Sequence, residues 1–111
     1  MNHAIEFIET SIFTKQIKAM ATDDELRILQ TELINQPEKG DLIQGTGGFR
    51  KVRMALFGKG KSGGARVIYY IVKADRIYLV MAYPKSHKDS LNQSEKSQLK
   101  QLAKLFDGEE S

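Results

Sequence analysis

The sequence predicts an α+β domain in which helices pack on a mostly antiparallel sheet. Helical spacing of apolar residues dominates the chain as far as residue 37, and it returns after residue 92. Between residues 49 and 83, alternating and β-branched runs indicate strands. The expected element order is β-α-α-β-β-β-α, and 111 residues suit a single domain, residues 1–111.

Each predicted helix has its own signal. A short apolar run at residues 4–8 could be a strand, and the first helix follows it with a stripe of Phe13, Ile17 and Met20. Thr22 and Glu25 form a capping box for the second helix, which ends before Pro37 and carries Leu26, Leu29 and Leu33. Asn92 and Glu95 have the spacing of a capping arrangement at the start of the last helix, and Gly108 is its expected stop. The apolar stripe of this helix is Leu99, Leu102, Ala103 and Phe106.

The strands lie in the middle of the chain. Residues 49–56 alternate, with Val52, Met54 and Leu56 on one face and Lys51 and Arg53 on the other. Residues 65–72 and 77–83 are apolar and β-branched enough to be buried strands, joined as a hairpin by residues 73–76. The connection at residues 57–64 is polar and rich in glycine, which on its own indicates a mobile loop.

Composition excludes several classes of site and location. The chain has no cysteine and only two histidines, so a disulfide scaffold, a thiol nucleophile and a zinc site are excluded, and no metal or cofactor is expected. The start of the chain lacks the basic flank of a signal peptide. No run approaches the roughly 20 apolar residues that span a bilayer. We therefore expect a cytoplasmic protein with no membrane partner.

Positive charge is concentrated in one part of the chain. Seven basic residues and no acids lie between Asp41 and Asp75, whereas the remainder has ten basic and fourteen acidic residues. Lys51 and Arg53 share one strand face at about 7 Å. Arg66 opens the next strand and can lie across from Arg53 or Lys51. This cluster suits a polyanion; the alternative is the solvated face of an edge strand.

A second group of polar side chains follows the last strand. Residues 83–89 read YPKSHKD and place a phenol, lysines and an imidazole at a strand end. Taken alone, the simpler interpretation of His87 is an exposed loop histidine. A site built of Lys, Arg and Tyr suits metal-independent cleavage of RNA, in which the ribose 2′-hydroxyl attacks the adjacent phosphate and cations stabilise the added charge.

Three segments of the chain are distinctive: GTGGFRKVR at 45–53, GKGKSGGARVIYY at 58–70 and MAYPKSHKDSLNQSEKSQLKQLA at 81–103. Together they resemble the RelE/HigB-type toxins of bacterial toxin–antitoxin systems, closest to the HigB-like branch with the longer loop. The resemblance implies a type II toxin that enters the ribosomal A site, contacts 16S rRNA and cuts messenger RNA there. It also implies a cognate antitoxin, expected to be a small helix-turn-helix protein.

The resemblance also suggests roles for individual residues. The implied catalytic residues are Lys51, Arg53, Arg66 and Lys85, and the implied RNA-binding residues are Arg50, Lys59, Lys61, Tyr83, His87 and Lys88. RelE members carry a base-stacking tyrosine near the start of the last helix, where this chain has Asn92, and the neighbouring arginine register gives Ser86. Either Tyr83, Lys85 or His87 takes those roles, or the chemistry is slower or differently organised. The alternatives are a non-catalytic RNA- or ribosome-binding module, or an inactive toxin homologue that acts as a regulator with its antitoxin.

Overall fold

A mixed five-stranded sheet forms the centre of the computed structural model, which describes residues 4–57, 63–73, 75–88 and 90–109. The strand order is β1-β5-β4-β3-β2, with β1 parallel to β5 and every other pair antiparallel. The predicted α+β class and mostly antiparallel sheet are confirmed. In chain order the elements are β1 (Glu6–Glu9), α1 (Ser11–Met20), α2 (Asp23–Asn35), β2 (Asp41–Leu42), β3 (Arg50–Met54), β4 (Ala65–Lys73), β5 (Arg76–Pro84) and α3 (Gln93–Glu109).

The helix starts follow the predicted capping signals. The Thr22 N–H donates to Glu25 Oε1 at 2.7 Å, and the Glu25 N–H donates to the Thr22 hydroxyl at 3.1 Å. Asn92 and Glu95 form the same reciprocal pair before α3. The predicted stop at Gly108 is wrong, because α3 continues to Glu109 and Gly108 does not adopt the left-handed φ of a glycine cap. Among the described residues, no helix combines the length and the apolar character needed to cross a bilayer.

The sheet carries a separate apolar core on each face. Because side chains alternate along β4, Val67 and Tyr69 face one side while Ile68 and Tyr70 face the other. Helices α1 and α2 cover the first side with Phe13, Ile17, Leu29 and Leu33. Helix α3 covers part of the second side with Leu99, Ala103 and Phe106. The molecule therefore has three layers, and the predicted strip of Lys51 and Arg53 lies on the α3 side.

A β-bulge at Val80 changes which side chains of β5 face α3. The register with β4 moves from Ile68–Met81 to Tyr69–Leu79, which leaves Val80 as the extra residue. After the bulge the alternation is reversed, so Ala82 joins the α1/α2 core and Tyr83 joins the α3 side.

Two side chains from α1 and its cap satisfy the backbone around this bulge. The Thr10 hydroxyl donates to the Val80 carbonyl at 2.7 Å, and Gln16 Oε1 accepts from the Ala82 N–H at 2.8 Å. β1 pairs with β5 only as far as Leu79, so these bonds satisfy backbone groups of β5 beyond the end of β1. The first helix thus helps to set the face on which Tyr83 lies.

The glycines at 45–48 form the tight connection between β2 and β3. Gly45, Gly47 and Gly48 have φ values of +84°, +81° and +126°, a region that glycine enters without steric cost. Thr46 is buried between them, where its hydroxyl donates to the Ile43 carbonyl at 2.7 Å and accepts from the Phe49 N–H at 3.1 Å. This turn returns the chain so that β2 lies beside β3.

Candidate functional site

Charged side chains form two neighbouring rows on the α3 side of the sheet. In the first row Asp41 of β2 lies opposite Lys51 of β3. In the second row Arg53 of β3 lies opposite Arg66 of β4, and Arg66 lies opposite Tyr83 of β5. The rows are two residues apart along β3, about 7 Å, and adjacent strands are about 4.8 Å apart. The sequence had left open whether Arg66 faces Arg53 or Lys51, and the register selects Arg53.

These side chains border a small cleft of about 160 Å³. Its lining consists of Asp41, Lys51, Arg53, Arg66 and Lys85. All five are ionisable, and four of them are cations. At about 30 Å³ per molecule in the liquid, the volume corresponds to roughly five waters. A cleft of this size and charge suits one phosphate group.

A larger groove elsewhere lacks this charge pattern. It measures about 650 Å³ and lies beside Pro37 and Ile71, with Lys39 and Glu38 as its charged side chains. One cation and one acid do not create a field that selects an anion. The smaller cleft is therefore the better candidate site.

Arg66 forms the buried floor of the cleft. Its residue is only 4% exposed, and its Nη1 donates to the Ala65 carbonyl at 3.2 Å. Arg53 opposite is exposed, while Lys51 and Lys85 are half-buried. Low local dielectric strengthens the attraction between a buried guanidinium and an incoming anion. Exposure to solvent therefore increases from Arg66 at the floor of the cleft to Arg53 at its rim.

Close backbone contact fixes the end of the cleft where Lys85 lies. A Cβ on Gly64 would be 2.3 Å from the Met54 carbonyl oxygen, so the chain approaches β3 more closely there than any side chain allows. The Gly64 carbonyl in turn accepts from the Lys85 N–H at 3.0 Å. This contact holds residue 85 beside the start of β4, next to Arg66.

Tyr83 and Lys88 adjoin the cleft without lining it. Lys88 Nζ lies 5.4 Å from the centroid of the buried Tyr83 ring and forms an ion pair with Glu95 of α3. The hydrogen bond from Lys88, followed by the one from the Asn92 N–H, holds the pKa of Glu95 below its usual range. Lys88 is thereby tied to the helix start.

The remaining predicted RNA-binding residues are located differently. Arg50 faces the opposite side of the sheet from Lys51, and its Nη1 donates to the carbonyls of Gly40 at 2.7 Å and Glu38 at 3.2 Å, an arrangement that favours a structural role. His87 is exposed in the turn after β5. Two other predicted residues, Lys59 and Lys61, lie outside the described residues.

Asp41 is the member of the cleft that the sequence reasoning did not identify. The sequence placed it in the turn at residues 38–41, at the boundary of the acid-free stretch, whereas it lies on β2, a strand that the predicted element order lacked. The signal was the spacing: a glycine-rich turn separates Asp41 from Lys51, and such a turn returns the chain antiparallel. Because β2 has only two residues, no alternation could reveal it.

The described part of the chain contains no group of three His, Cys, Asp or Glu side chains arranged to hold a metal ion. A comparison with protein families gives a match over residues 7–110 to the model described as the RelE toxin of the RelE/RelB toxin–antitoxin system. The match includes every residue that lines the cleft.

Proposed function

Since the chain belongs to the RelE toxin family, we propose that it is the toxin of a type II toxin–antitoxin system and cleaves messenger RNA on the ribosome. RelE toxins pair with antitoxins and act on ribosomes. The observation that carries the proposal is the cleft itself, in which Arg53 and Arg66 face each other and two lysines complete the cationic lining.

The cleft suits phosphodiester cleavage by the neighbouring ribose. The 2′-oxygen attacks phosphorus as its proton leaves, and the bond from phosphorus to the 5′-oxygen breaks as that oxygen gains a proton. The products are a 2′,3′-cyclic phosphate and a free 5′-hydroxyl. Extra negative charge builds on the phosphoryl oxygens, where the guanidinium donors of Arg53 and Arg66 stabilise it. Lys51 and Lys85 add positive charge beside the same group.

Further features of the proposal concern lineage and partners. We place the chain on the HigB-like branch, whose longer loop the glycine-rich connection at residues 57–64 resembles. We propose one toxin domain, residues 1–111, acting in the cytoplasm without a metal, in the A site beside 16S rRNA, and blocked by a helix-turn-helix antitoxin. Messenger or ribosomal RNA would contact Tyr83, Lys88, His87, Lys59 and Lys61.

The test uses purified protein and ribosomes programmed with a defined message, in the presence and absence of a chelator. We expect cleavage only with ribosomes, unchanged by the chelator, and a cyclic phosphate at the new end. Arg66→Ala should slow cleavage by about 10²–10³-fold, the effect of losing one charge-stabilising donor. Arg27→Ala is the matched control, because Arg27 is exposed on α2 and pairs with Asp24.

Two results would contradict this function. If the wild-type protein binds programmed ribosomes and leaves the message intact, the cleft serves a non-catalytic RNA- or ribosome-binding module. If Arg66→Ala and Arg27→Ala cleave equally fast, the reaction occurs elsewhere on the molecule.

A further inference from the structure

Among the described residues that line the cleft, Asp41 is the one carboxylate and the other four are cations. Its place is fixed from behind by its neighbour, because the Gly40 N–H donates to the Tyr69 hydroxyl at 2.9 Å. A Cβ on Gly40 would lie 2.9 Å from the Lys51 carbonyl oxygen, so glycine allows the chain to approach β3 closely just before Asp41. The carboxylate therefore stands beside Lys51 at a defined edge of the cleft.

The strand order and register place four of the charged groups along a diagonal of the sheet. Asp41 lies on β2, Arg53 on β3, Arg66 on β4, and Lys85 directly after β5. A phosphate held by the two central arginines would thus have the carboxylate on one side and the Lys85 ammonium on the other. Displacement at phosphorus requires the attacking and leaving oxygens to be roughly in line on opposite sides.

We propose that Asp41 accepts the proton of the attacking 2′-hydroxyl, a role that rests on the proposed function. An ionised carboxylate only accepts hydrogen bonds, so it attracts a hydroxyl and repels phosphate oxygens. In a phosphate-binding cleft, this property orients the ribose hydroxyl towards Asp41 and the phosphate towards the arginines. The carboxylate therefore selects the nucleophile as well as receiving its proton.

The proton balance of the step closes within the cleft. The 2′-O–H bond breaks and its proton passes to an Asp41 carboxylate oxygen while the 2′-oxygen bonds to phosphorus. The bond from phosphorus to the 5′-oxygen breaks, and that oxygen takes a proton from the Lys85 ammonium. Afterwards the proton on Asp41 passes through solvent to the neutral Lys85 amine. Both side chains return to their starting charge, and no further reactant is needed.

The first test compares Asp41→Asn with Glu38→Gln, which changes net charge equally three residues away and does not line the cleft. Asp41→Asn should bind programmed ribosomes at least as tightly as wild type, since it removes a negative charge from an RNA site. Its cleavage at saturating ribosomes should fall by about 10²-fold or more, the usual contribution of a general base. Glu38→Gln should cleave at the wild-type rate.

A binding measurement tests the same contact without relying on cleavage. Lys85→Ala supplies a background in which cleavage is slow and the Asp41 side of the cleft is intact. In that background, a 2′-deoxy nucleotide at the cleavage position should weaken binding about tenfold or more, the loss of a hydrogen bond to a charged group. Adding Asp41→Asn should make the ribose and deoxyribose messages bind equally.

The outcomes separate this inference from the proposed function. If Asp41→Asn cleaves as fast as wild type, Asp41 is a counter-charge only, and the inference fails while the function stands. If wild type never cleaves but the deoxy substitution still weakens binding through Asp41, the function fails and the contact stands. If Asp41→Asn fails to bind ribosomes, cleavage and binding are measured on Asp41→Glu, which keeps the carboxylate. An Asp41→Glu protein that neither cleaves the message nor prefers ribose over deoxyribose would also overturn the inference.

Discussion

The α3 side of the sheet has two ends that differ sharply although the same three strands, β3, β4 and β5, build both. At the covered end, α3 lies over packed aromatic rings: the Phe49 and Tyr70 centroids are 4.7 Å apart, and Tyr78 stacks on Phe106 at 3.9 Å. At the open end, two residues along β4 from Ile68, the buried side chain is Arg66. One face thus changes from apolar core to charged cleft within a few residues.

The difference shows that, on this face of the sheet, the covered end stabilises the fold and the open end carries the charged groups suited to chemistry. Burial and the hydrogen bond to Asp107 raise the pKa of Tyr70 to about 12, so its hydroxyl stays a neutral donor, 2.8 Å from Asp107 Oδ1 on α3. That bond fastens the helix over the covered end. Among the described residues, the open end offers no comparable apolar surface for a helix to cover, and Arg53 there is exposed to solvent. Mutations at the two ends should therefore affect different measurements.

Truncation at the covered end should have the largest effect on stability. Phe106→Ala removes a buried ring that contacts Tyr78, Tyr70 and Phe49, and we expect the free energy of unfolding to fall by about 3–5 kcal/mol. Leu105→Ala is the adjacent control, because Leu105 is 64% exposed and should change stability by less than about 0.5 kcal/mol. Chemical denaturation measures both. Equal losses would mean that α3 does not pack as described.

Glu25 supports the open end from the α2 side of the sheet. Its buried carboxylate accepts from the Phe57 N–H, beyond the end of β3, and from the Thr22 N–H. These two backbone hydrogen bonds, the one from Phe57 first, lower the pKa of Glu25. A lowered pKa in the folded state means that the stabilisation is complete above the ordinary glutamate value of about 4.3. It is lost as the pH falls through the folded-state value.

Glu25→Gln should therefore lower the free energy of unfolding at neutral pH by about 1.5–3 kcal/mol, the usual contribution of hydrogen bonds to a charged group. The difference from wild type should shrink once the pH falls below the folded-state pKa. Glu32→Gln is the control, since Glu32 forms a solvent-exposed ion pair with Lys39. Denaturation at neutral and acid pH checks both variants, and a pH-independent difference would contradict the role of the charge.

Alanine substitutions at Gly64 and Gly108 should change the stability of the protein in opposite directions. Gly64→Ala places a Cβ against the Met54 carbonyl oxygen at the edge of the cleft, and this backbone atom cannot easily move away. The substitution should therefore lower the free energy of unfolding by about 1–3 kcal/mol. It should also slow cleavage by displacing Lys85. Gly108→Ala has no atom within 4 Å of the new Cβ and lies inside α3, so it should stabilise by about 0.5–1 kcal/mol. If Gly64→Ala is neutral in thermal unfolding, the close approach is not required.

Local signals predicted most of the fold. The capping boxes at Thr22 and Asn92, the hairpin of β4 and β5, and the α+β class are confirmed because each depends on neighbouring residues. The positions of the cations on either side of one connection predicted that Arg66 faces Arg53 or Lys51, and the register of β3 with β4 selects Arg53. The alternation of β3 also indicates that Arg50 lies on the face of Val52, opposite Lys51.

The sequence did not predict every residue at or beside the cleft, because these residues depend on the register between neighbouring strands. Asp41 enters through a two-residue strand that leaves no pattern. Tyr83 reaches the α3 side only because one extra residue, Val80, reverses the alternation of β5. A bulge adds a single residue to a strand, and residues 77–83 contain no glycine to mark its position.

Loss of a hydrogen bond beside the bulge should have the smallest effect on stability. The bulge lies on β5, a strand that contributes to both ends of the α3 side. Gln16→Ala removes the acceptor of the Ala82 N–H, and because that bond is only partly buried, we expect a loss of about 1 kcal/mol in unfolding free energy. The exposed Gln98 of α3 is the control, and Gln98→Ala should leave stability unchanged. If the bulge holds Tyr83 beside Arg66, Gln16→Ala should also slow ribosome-dependent cleavage without weakening α3 packing. If Gln16→Ala lowers stability but cleaves at the wild-type rate, strand pairing alone fixes the register of β5, and α1 only packs against the sheet.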